Sequence, residues 1–160
     1  MAAYRVRGIP DTIASTARAS LRSPQYGHPA HVEVATGYGP CRLCLRTFEV
    51  GAEERLLFTY QPFTDPAALP APGPVFIHRG PCGRYDAPEL PEMLRPLPLV
   101  VEGYGDEGAL LLQRRVGADD ADAVIEEVLS HPEARYAHLR NAEAGCFIAR
   151  IDLLEPVVSA

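Results

Sequence analysis

Apolar and polar residues alternate along several short stretches of the chain, at the two-residue period of a β-strand. In residues 55–61 every second position is a large apolar or aromatic residue, which predicts a strand with one face in the core. Short turns at residues 105–108 and 141–145 each lie between two such stretches, so we expect two hairpins. The further strands predicted in this way lie at residues 4–9, 31–35, 75–78, 99–104, 109–115, 135–140 and 146–154.

Two segments have the apolar period of an α-helix. The first is predicted to be capped by Asp11 and to run to about residue 23, because aspartate is a preferred N-cap residue. The second is predicted to be capped by Asp119 or Asp120 and to end near residue 130, before a proline. Their predicted apolar faces contain Ile13, Ala17 and Leu21 in the first helix and Ala123, Val124, Val128 and Leu129 in the second.

A proline-rich segment, residues 62–98, lies between the strands predicted at residues 55–61 and 99–104 and holds ten of the sixteen prolines. Proline lacks a backbone N–H, so this density excludes a long helix and interrupts sheet pairing. We therefore expect a long loop that contains one short strand at residues 75–78. Long loops inside a compact domain often carry function.

These elements predict a single α+β domain over residues 1–160 with a mostly antiparallel β-sheet and two short helices. The sheet is expected to be either strongly curved or a partial barrel. Within the domain, residues 1–96 contain a strand–helix–strand unit and the cysteine and histidine residues. Residues 97–154 are predicted to form a ββαββ unit.

Composition and charge narrow the classes of function. The formal net charge of −6 argues against a nucleic-acid-binding protein, which needs a basic face. The N-terminal residues lack the apolar segment of a signal peptide, and the apolar runs are too short to span a bilayer. We therefore expect a cytoplasmic protein without membrane contact, in which cysteines stay reduced. All fifteen Lys-or-Arg residues are arginine, which reflects either coding bias or a need for guanidinium groups that bind anions.

Four potential metal ligands occur in two close pairs. Cys41 and Cys44 are separated by two residues, a spacing that lets both sulfur atoms reach one ion from a tight turn. His78 and Cys82 are separated by three residues and form a second pair. Three cysteines and one histidine are a common tetrahedral zinc set. We therefore predict a small domain that binds a structural zinc ion through these four residues.

Other interpretations of the same residues stay open. The cysteines could be buried apolar residues, as Cys146 is expected to be at the start of its strand. Cys41 could instead be a catalytic nucleophile or redox thiol, with its pKa lowered by Arg42 and Arg46. In a related alternative, a small anion binds to His78 and nearby guanidinium groups. The arginines in that proposed anion site are Arg42, Arg79 and Arg84, with Arg46 beside them. A protein-interaction module with no site at the cysteines is the last alternative.

Several stretches resemble a bacterial family known only as domain of unknown function 1203. They are residues 40–45, 56–63, 73–78 and 140–150, and the resemblance extends over nearly the whole chain. It implies a small, soluble, single-domain bacterial protein and implies no activity. It also implies that the Pro-Cys-Arg element containing Cys41 is the steadiest part of the family pattern, whereas the positions of Cys44 and His78 vary.

Overall fold

A computed structural model describes residues 3–63, 72–117 and 120–154, and these residues form nine strands and two α-helices. The predicted elements are present in the predicted order, with a short additional strand in the proline-rich segment. The elements are β1 Tyr4–Arg7, α1 Asp11–Ser20, β2 His31–Val34, β3 Glu54–Tyr60, β4 Gly73–His78, β5 Asp86–Ala87, β6 Leu99–Tyr104, β7 Leu110–Val116, α2 Ala121–Leu129, β8 Tyr136–Asn141 and β9 Phe147–Leu153.

Six strands form an antiparallel sheet in the order β5-β1-β9-β8-β6-β7. Both predicted hairpins are present, as β6–β7 and β8–β9. The N-terminal strand β1 pairs with β9, near the other end of the chain, so the sheet joins both ends of the described sequence. Neither this sheet nor the second one closes on itself in the described residues, so these residues form no closed barrel. The α+β fold with a mostly antiparallel sheet is confirmed.

Helix α2 covers one face of the six-stranded sheet. Its N-terminus is capped by Asp120, whose side chain accepts a hydrogen bond from the Asp122 backbone N–H at 3.0 Å. The prediction that Ala123 belongs to the buried face is wrong, because Ala123 is exposed and Ile125 is buried instead. The buried stripe follows the helical period through Ala121, Ile125, Val128 and Leu129.

The other three strands form a second antiparallel sheet, β2-β3-β4, which shares a core with α1. Asp11 is the first residue of α1 rather than its cap, and Pro10 occupies the cap position. The helix ends at Ser20, earlier than predicted, because Leu21 has a left-handed backbone (φ 54°) that a helix cannot continue. Leu21 is consequently exposed, whereas Ala14 and Ala17 are buried.

The proline-rich segment contains β4, the two-residue strand β5 and one short 3₁₀ turn, so the prediction of a single strand there was incomplete. Residues 64–71 of this segment lie outside the described residues. In the part of the chain that the structure describes, no helix is long and apolar enough to cross a membrane.

The two cores meet where β9 begins. Phe147, the first residue of β9, is buried in the core of the smaller sheet, whereas Ile148 and Ile151 belong to the core under α2. The smaller core also contains Cys41 and Cys44, so the predicted ligand pairs are located in this half of the molecule.

Candidate metal centre

The first pair of ligands lies on a tight turn between β2 and β3. The Leu45 N–H donates to the carbonyl of Cys41 at 2.8 Å, and the Cys41 N–H donates to the carbonyl of Arg46 at 2.9 Å. Leu45 has a left-handed backbone, with φ of 60°, which reverses the chain directly after Cys44. This local geometry turns the sulfur atoms of Cys41 and Cys44 toward the same point. We call residues 41–46 the cysteine turn.

The second pair of ligands lies at the end of β4. His78 is the last residue of that strand, and Cys82 follows after a short bend. The Arg42 N–H donates to the Phe76 carbonyl at 2.9 Å, which ties the cysteine turn to β4. The His78 N–H also points to the Cys41 sulfur at 3.4 Å. The strand therefore delivers its two ligands directly beside the first pair.

Cys41, Cys44, His78 and Cys82 form one cluster that could hold a metal ion. Their ligand atoms all lie within 4.8 Å of one another. The Cys41 and Cys82 sulfur atoms are 3.9 Å apart, and the Cys44 sulfur is 3.5 Å from His78 Nδ1. The structure thus brings together the four predicted ligands from two distant parts of the sequence.

Three neighbours orient these ligands from outside the cluster. His78 Nε2 lies 2.7 Å from the Glu53 carboxylate, which leaves Nδ1 facing Cys44. Arg18 of α1 donates to the His78 carbonyl at 3.0 Å and to the Cys82 sulfur at 3.2 Å. The Phe48 ring packs against the His78 imidazole, with ring centroids 4.6 Å apart. These contacts restrict the side-chain positions of His78 and Cys82.

The sulfur atoms also perturb one another electrostatically. Hydrogen bonding with Cys41, and then with Cys82, lowers the pKa of the Cys44 thiol. The same hydrogen bond with Cys44 is the main cause that raises the pKa of Cys41. Two opposing effects act on the pKa of Cys82. The hydrogen bond with Cys41 lowers this pKa, whereas the hydrogen bond with Cys44 and burial raise it by more, so the pKa of Cys82 is raised overall. Because one thiolate suppresses ionisation of its neighbours, full ionisation of all three requires a cation among them.

The cluster is buried on one side and open on the other. Cys41, Cys44 and His78 are buried, and Cys82 is half-buried. His78 and Cys82 line a surface cleft together with Arg46 and Arg79. The side of Cys82 is therefore the side on which the cluster faces a surface cleft.

The predicted anion-binding arginines lie in three different clefts. Arg42 is buried and donates to the carbonyls of Phe147 and Pro40, away from the sulfur cluster. Burial lowers the pKa of Arg42 to about 10. Arg79 is exposed and forms a 2.8 Å ion pair with Glu54. Arg84 donates to the Gly8 carbonyl at 2.9 Å.

Sequence reasoning did not identify Glu53 and Arg18 as neighbours of the ligands. Glu53 belongs to neither ligand pair, and Arg18 lies on a helix far from the cysteines in the chain. No spacing rule connects either residue to His78, because their contacts depend on how α1 and the smaller sheet pack. Cys146 lies outside the cluster, at the start of β9, where it is half-buried.

Comparison with known families agrees with the resemblance noted in the sequence. A family model described as "Protein of unknown function (DUF1203)" matches residues 38–152, a range that includes all four residues of the cluster. No curated protein and no solved structure matches the chain. The chain therefore belongs to the DUF1203 family of proteins of unknown function.

Proposed function

We propose that this protein binds one zinc ion through Cys41, Cys44, His78 and Cys82, and that the ion stabilises the fold. The observation that carries this proposal is the mutual distance of the four ligand atoms, all within 4.8 Å. A tetrahedral ion with Zn–S bonds of about 2.3 Å requires sulfur atoms about 3.8 Å apart. The separation of 3.9 Å between Cys41 and Cys82 fits that requirement.

The chemistry of the ligand set favours zinc over harder cations. Thiolate and imidazole ligands in a compact four-coordinate arrangement are typical of structural zinc, whereas magnesium and calcium prefer oxygen. With Nδ1 of His78 directed to the ion, Nε2 carries the proton and donates to Glu53. Arg18 supplies a positive charge next to Cys82, which offsets part of the negative charge of three thiolates.

A structural role fits the site better than a catalytic one. Four protein ligands complete a tetrahedral shell and leave no open position for water or substrate. Cys41, the candidate nucleophile, is fully buried, so a substrate carbon could not reach its sulfur without displacement of the core. The ion would instead cross-link the cysteine turn to the end of β4, two segments that are otherwise joined, among the described residues, by one backbone hydrogen bond from Arg42 to Phe76.

The test is the metal content of untagged protein purified without chelator, measured by mass spectrometry for the wild type and two variants. We expect close to one zinc per chain in the wild type and in Cys146→Ser, the matched control outside the cluster. Cys44→Ser should lose zinc and about 3 kcal/mol or more of stability, since structural zinc sites contribute about 10–16 kcal/mol of binding free energy.

A thiol count completes the experiment. In the wild type we expect Cys146 to react freely and the cluster thiols to react only after zinc is chelated. Protein without bound metal whose cluster thiols react at once would contradict the proposal. Equal zinc content in Cys44→Ser and Cys146→Ser would contradict the assigned ligand set.

A further inference from the structure

A polar cleft of about 390 Å³ is lined by residues of β1, β3 and β9. This volume falls within the range of about 300–1,000 Å³ that is usual for small-molecule pockets. Three arginines and one carboxylate line the cleft, which is a concentration of positive charge in a chain of net charge −6. They are Arg7, Arg84, Arg150 and Asp152.

The Asp152 carboxylate forms ion pairs with two of the arginines but does not accept hydrogen bonds from all of their N–H groups. Asp152 accepts from Arg7 Nη1 at 2.8 Å and from Arg150 Nε at 2.7 Å. Arg7 also reaches Asp86 with Nε at 3.3 Å, and the Arg150 guanidinium stacks on a tyrosine ring. The terminal N–H groups of Arg150 donate to none of the described residues, so they remain available to a ligand.

Arg84 is the least neutralised of the three. Its Nε donates to the Gly8 carbonyl, and it forms no ion pair with any residue in the described ranges. Gly8 belongs to the same cleft, so this hydrogen bond holds the Arg84 side chain at the wall. Its terminal N–H groups have the planar geometry that binds a carboxylate or phosphate through two oxygen atoms.

The Tyr60 hydroxyl provides a further hydrogen-bond donor at this cleft. Tyr60 is only 7% exposed, lines the cleft, and makes no side-chain hydrogen bond within the part of the chain described. Burial raises the pKa of Tyr60 to about 12, although the charges of Arg84 and Arg150 act in the opposite direction. The phenol is therefore a protonated donor at neutral pH. An anionic head group in the cleft would accept a hydrogen bond from this phenol.

The rest of the wall is apolar and is formed by Ile9, Pro10, Pro62 and Phe147. We propose that this cleft binds a small organic anion, with its carboxylate or phosphate group on Arg84, Arg150 and Tyr60 and a compact apolar body against Phe147. This site shares only Arg84 with the anion site expected from the sequence. The proposal does not require the metal ion.

The test is calorimetric titration of the metal-containing protein with phenyl phosphate and with benzoate, and with benzamide as a neutral probe. Binding of either anion, without binding of benzamide, supports the site, and the tighter anion identifies the head group. Inorganic phosphate should bind more weakly than phenyl phosphate. Equal affinity for both phosphates would overturn the assignment of an apolar wall, and no binding of either organic anion at millimolar concentration would overturn the site itself.

Substitutions of the cleft residues test where the anion binds. We expect Arg84→Gln to weaken anion binding about tenfold or more, because it removes charge-assisted hydrogen bonds. Tyr60→Phe removes one hydroxyl and should weaken binding severalfold. Arg114→Gln, at an exposed position on β7, is the matched control and should bind as the wild type does. Wild-type affinity in both cleft variants would overturn the proposal.

Metal content is measured for every variant in this series. Loss of anion binding in Arg84→Gln with zinc retained supports the cleft independently of the metal proposal. Anion binding by a wild-type protein that contains no metal would leave the cleft supported while the zinc proposal fails. The two proposals can therefore fail separately.

Discussion

At the scale of single residues, His138 is a buried histidine whose position has a direct thermodynamic consequence. It is fully buried on β8, and neither ring nitrogen has a hydrogen-bond partner among the described residues. Aromatic rings surround it, with centroids between 4.8 and 5.4 Å away. Burial, followed by the nearby charges of Arg140 and Arg150, lowers the pKa of His138 to about 3. The folded protein therefore holds this imidazole in its neutral form.

We predict that His138→Phe removes part of the acid sensitivity of the fold. In the unfolded chain this histidine titrates near about 6.5, so protonation favours unfolding below that pH. The contribution of neutral His138 to the free energy of unfolding is fully present above about pH 6.5. It is lost as the pH falls toward 3, by up to about 1.4 kcal/mol per pH unit. Urea unfolding between about pH 5 and 7.5 measures this slope.

The control is His28→Phe, at an exposed position, which should keep the wild-type slope. Metal release at low pH affects all three proteins alike, so the difference between the profiles isolates His138. Parallel profiles for the wild type and His138→Phe would show that the buried imidazole does not govern acid sensitivity.

At the scale of elements, the end of β1 makes close contact with the cysteine turn, which carries two of the proposed ligands. The Ile9 N–H donates to the Arg42 carbonyl at 2.9 Å, directly after the end of β1. Gly8 lies so near the turn that a Cβ atom there would be 2.0 Å from the Leu43 carbonyl oxygen. The segment after Cys82 joins the same contact, because the Tyr85 N–H donates to the Leu43 carbonyl at 2.8 Å. Three chain segments thus converge behind the ligands.

We predict that Gly8→Ala destabilises the protein by about 2 kcal/mol or more, since the added methyl group would clash with backbone atoms that cannot rotate away. Separation of β1 from the turn should also weaken zinc retention in the presence of a competing chelator. Gly117→Ala is the matched control, because a Cβ atom at Gly117 would have no heavy atom of a described residue within 4 Å. Equal denaturation midpoints for the two variants would refute this account of the contact.

At the scale of the whole molecule, the two cores differ in their dependence on the proposed ion. All four ligands lie on or beside the core of the smaller sheet, whereas the core under α2 contains none of them. The six-stranded sheet and α2 bury a continuous and mostly aliphatic core. The smaller sheet has only three strands and relies on α1 and the cysteine turn to complete its core.

We predict that chelation of the metal loosens the two halves unequally. Amide hydrogen exchange should accelerate in α1, β2, β3 and β4, while β6, β8 and α2 keep most of their protection. The chelator should have no effect on Cys44→Ser, which controls for direct action on the protein. Uniform loss of protection throughout the molecule would mean that the ion stabilises one cooperative unit rather than one half.

Much of the local structure was predictable from the sequence alone. The two hairpins and the cap at Asp120 depend on side-chain alternation, turn residues and capping preferences within a few neighbouring positions. The pairs Cys41–Cys44 and His78–Cys82 were recognisable for the same reason, because their spacing constrains both ligands locally. The predicted end of α1 was wrong, because Leu21 has a left-handed backbone conformation that ends the helix early.

Contacts between distant segments were decided only by the tertiary structure. The pairing of β1 with β9, the meeting of the two ligand pairs, and the contact between Arg18 and Cys82 each join residues far apart in the chain. The cleft around Tyr60 likewise brings together residues from several elements, and no local pattern marks them as neighbours. The physical reason is that alternation, turns and caps are set by neighbouring residues, whereas strand order and site assembly depend on how all apolar surfaces are buried together.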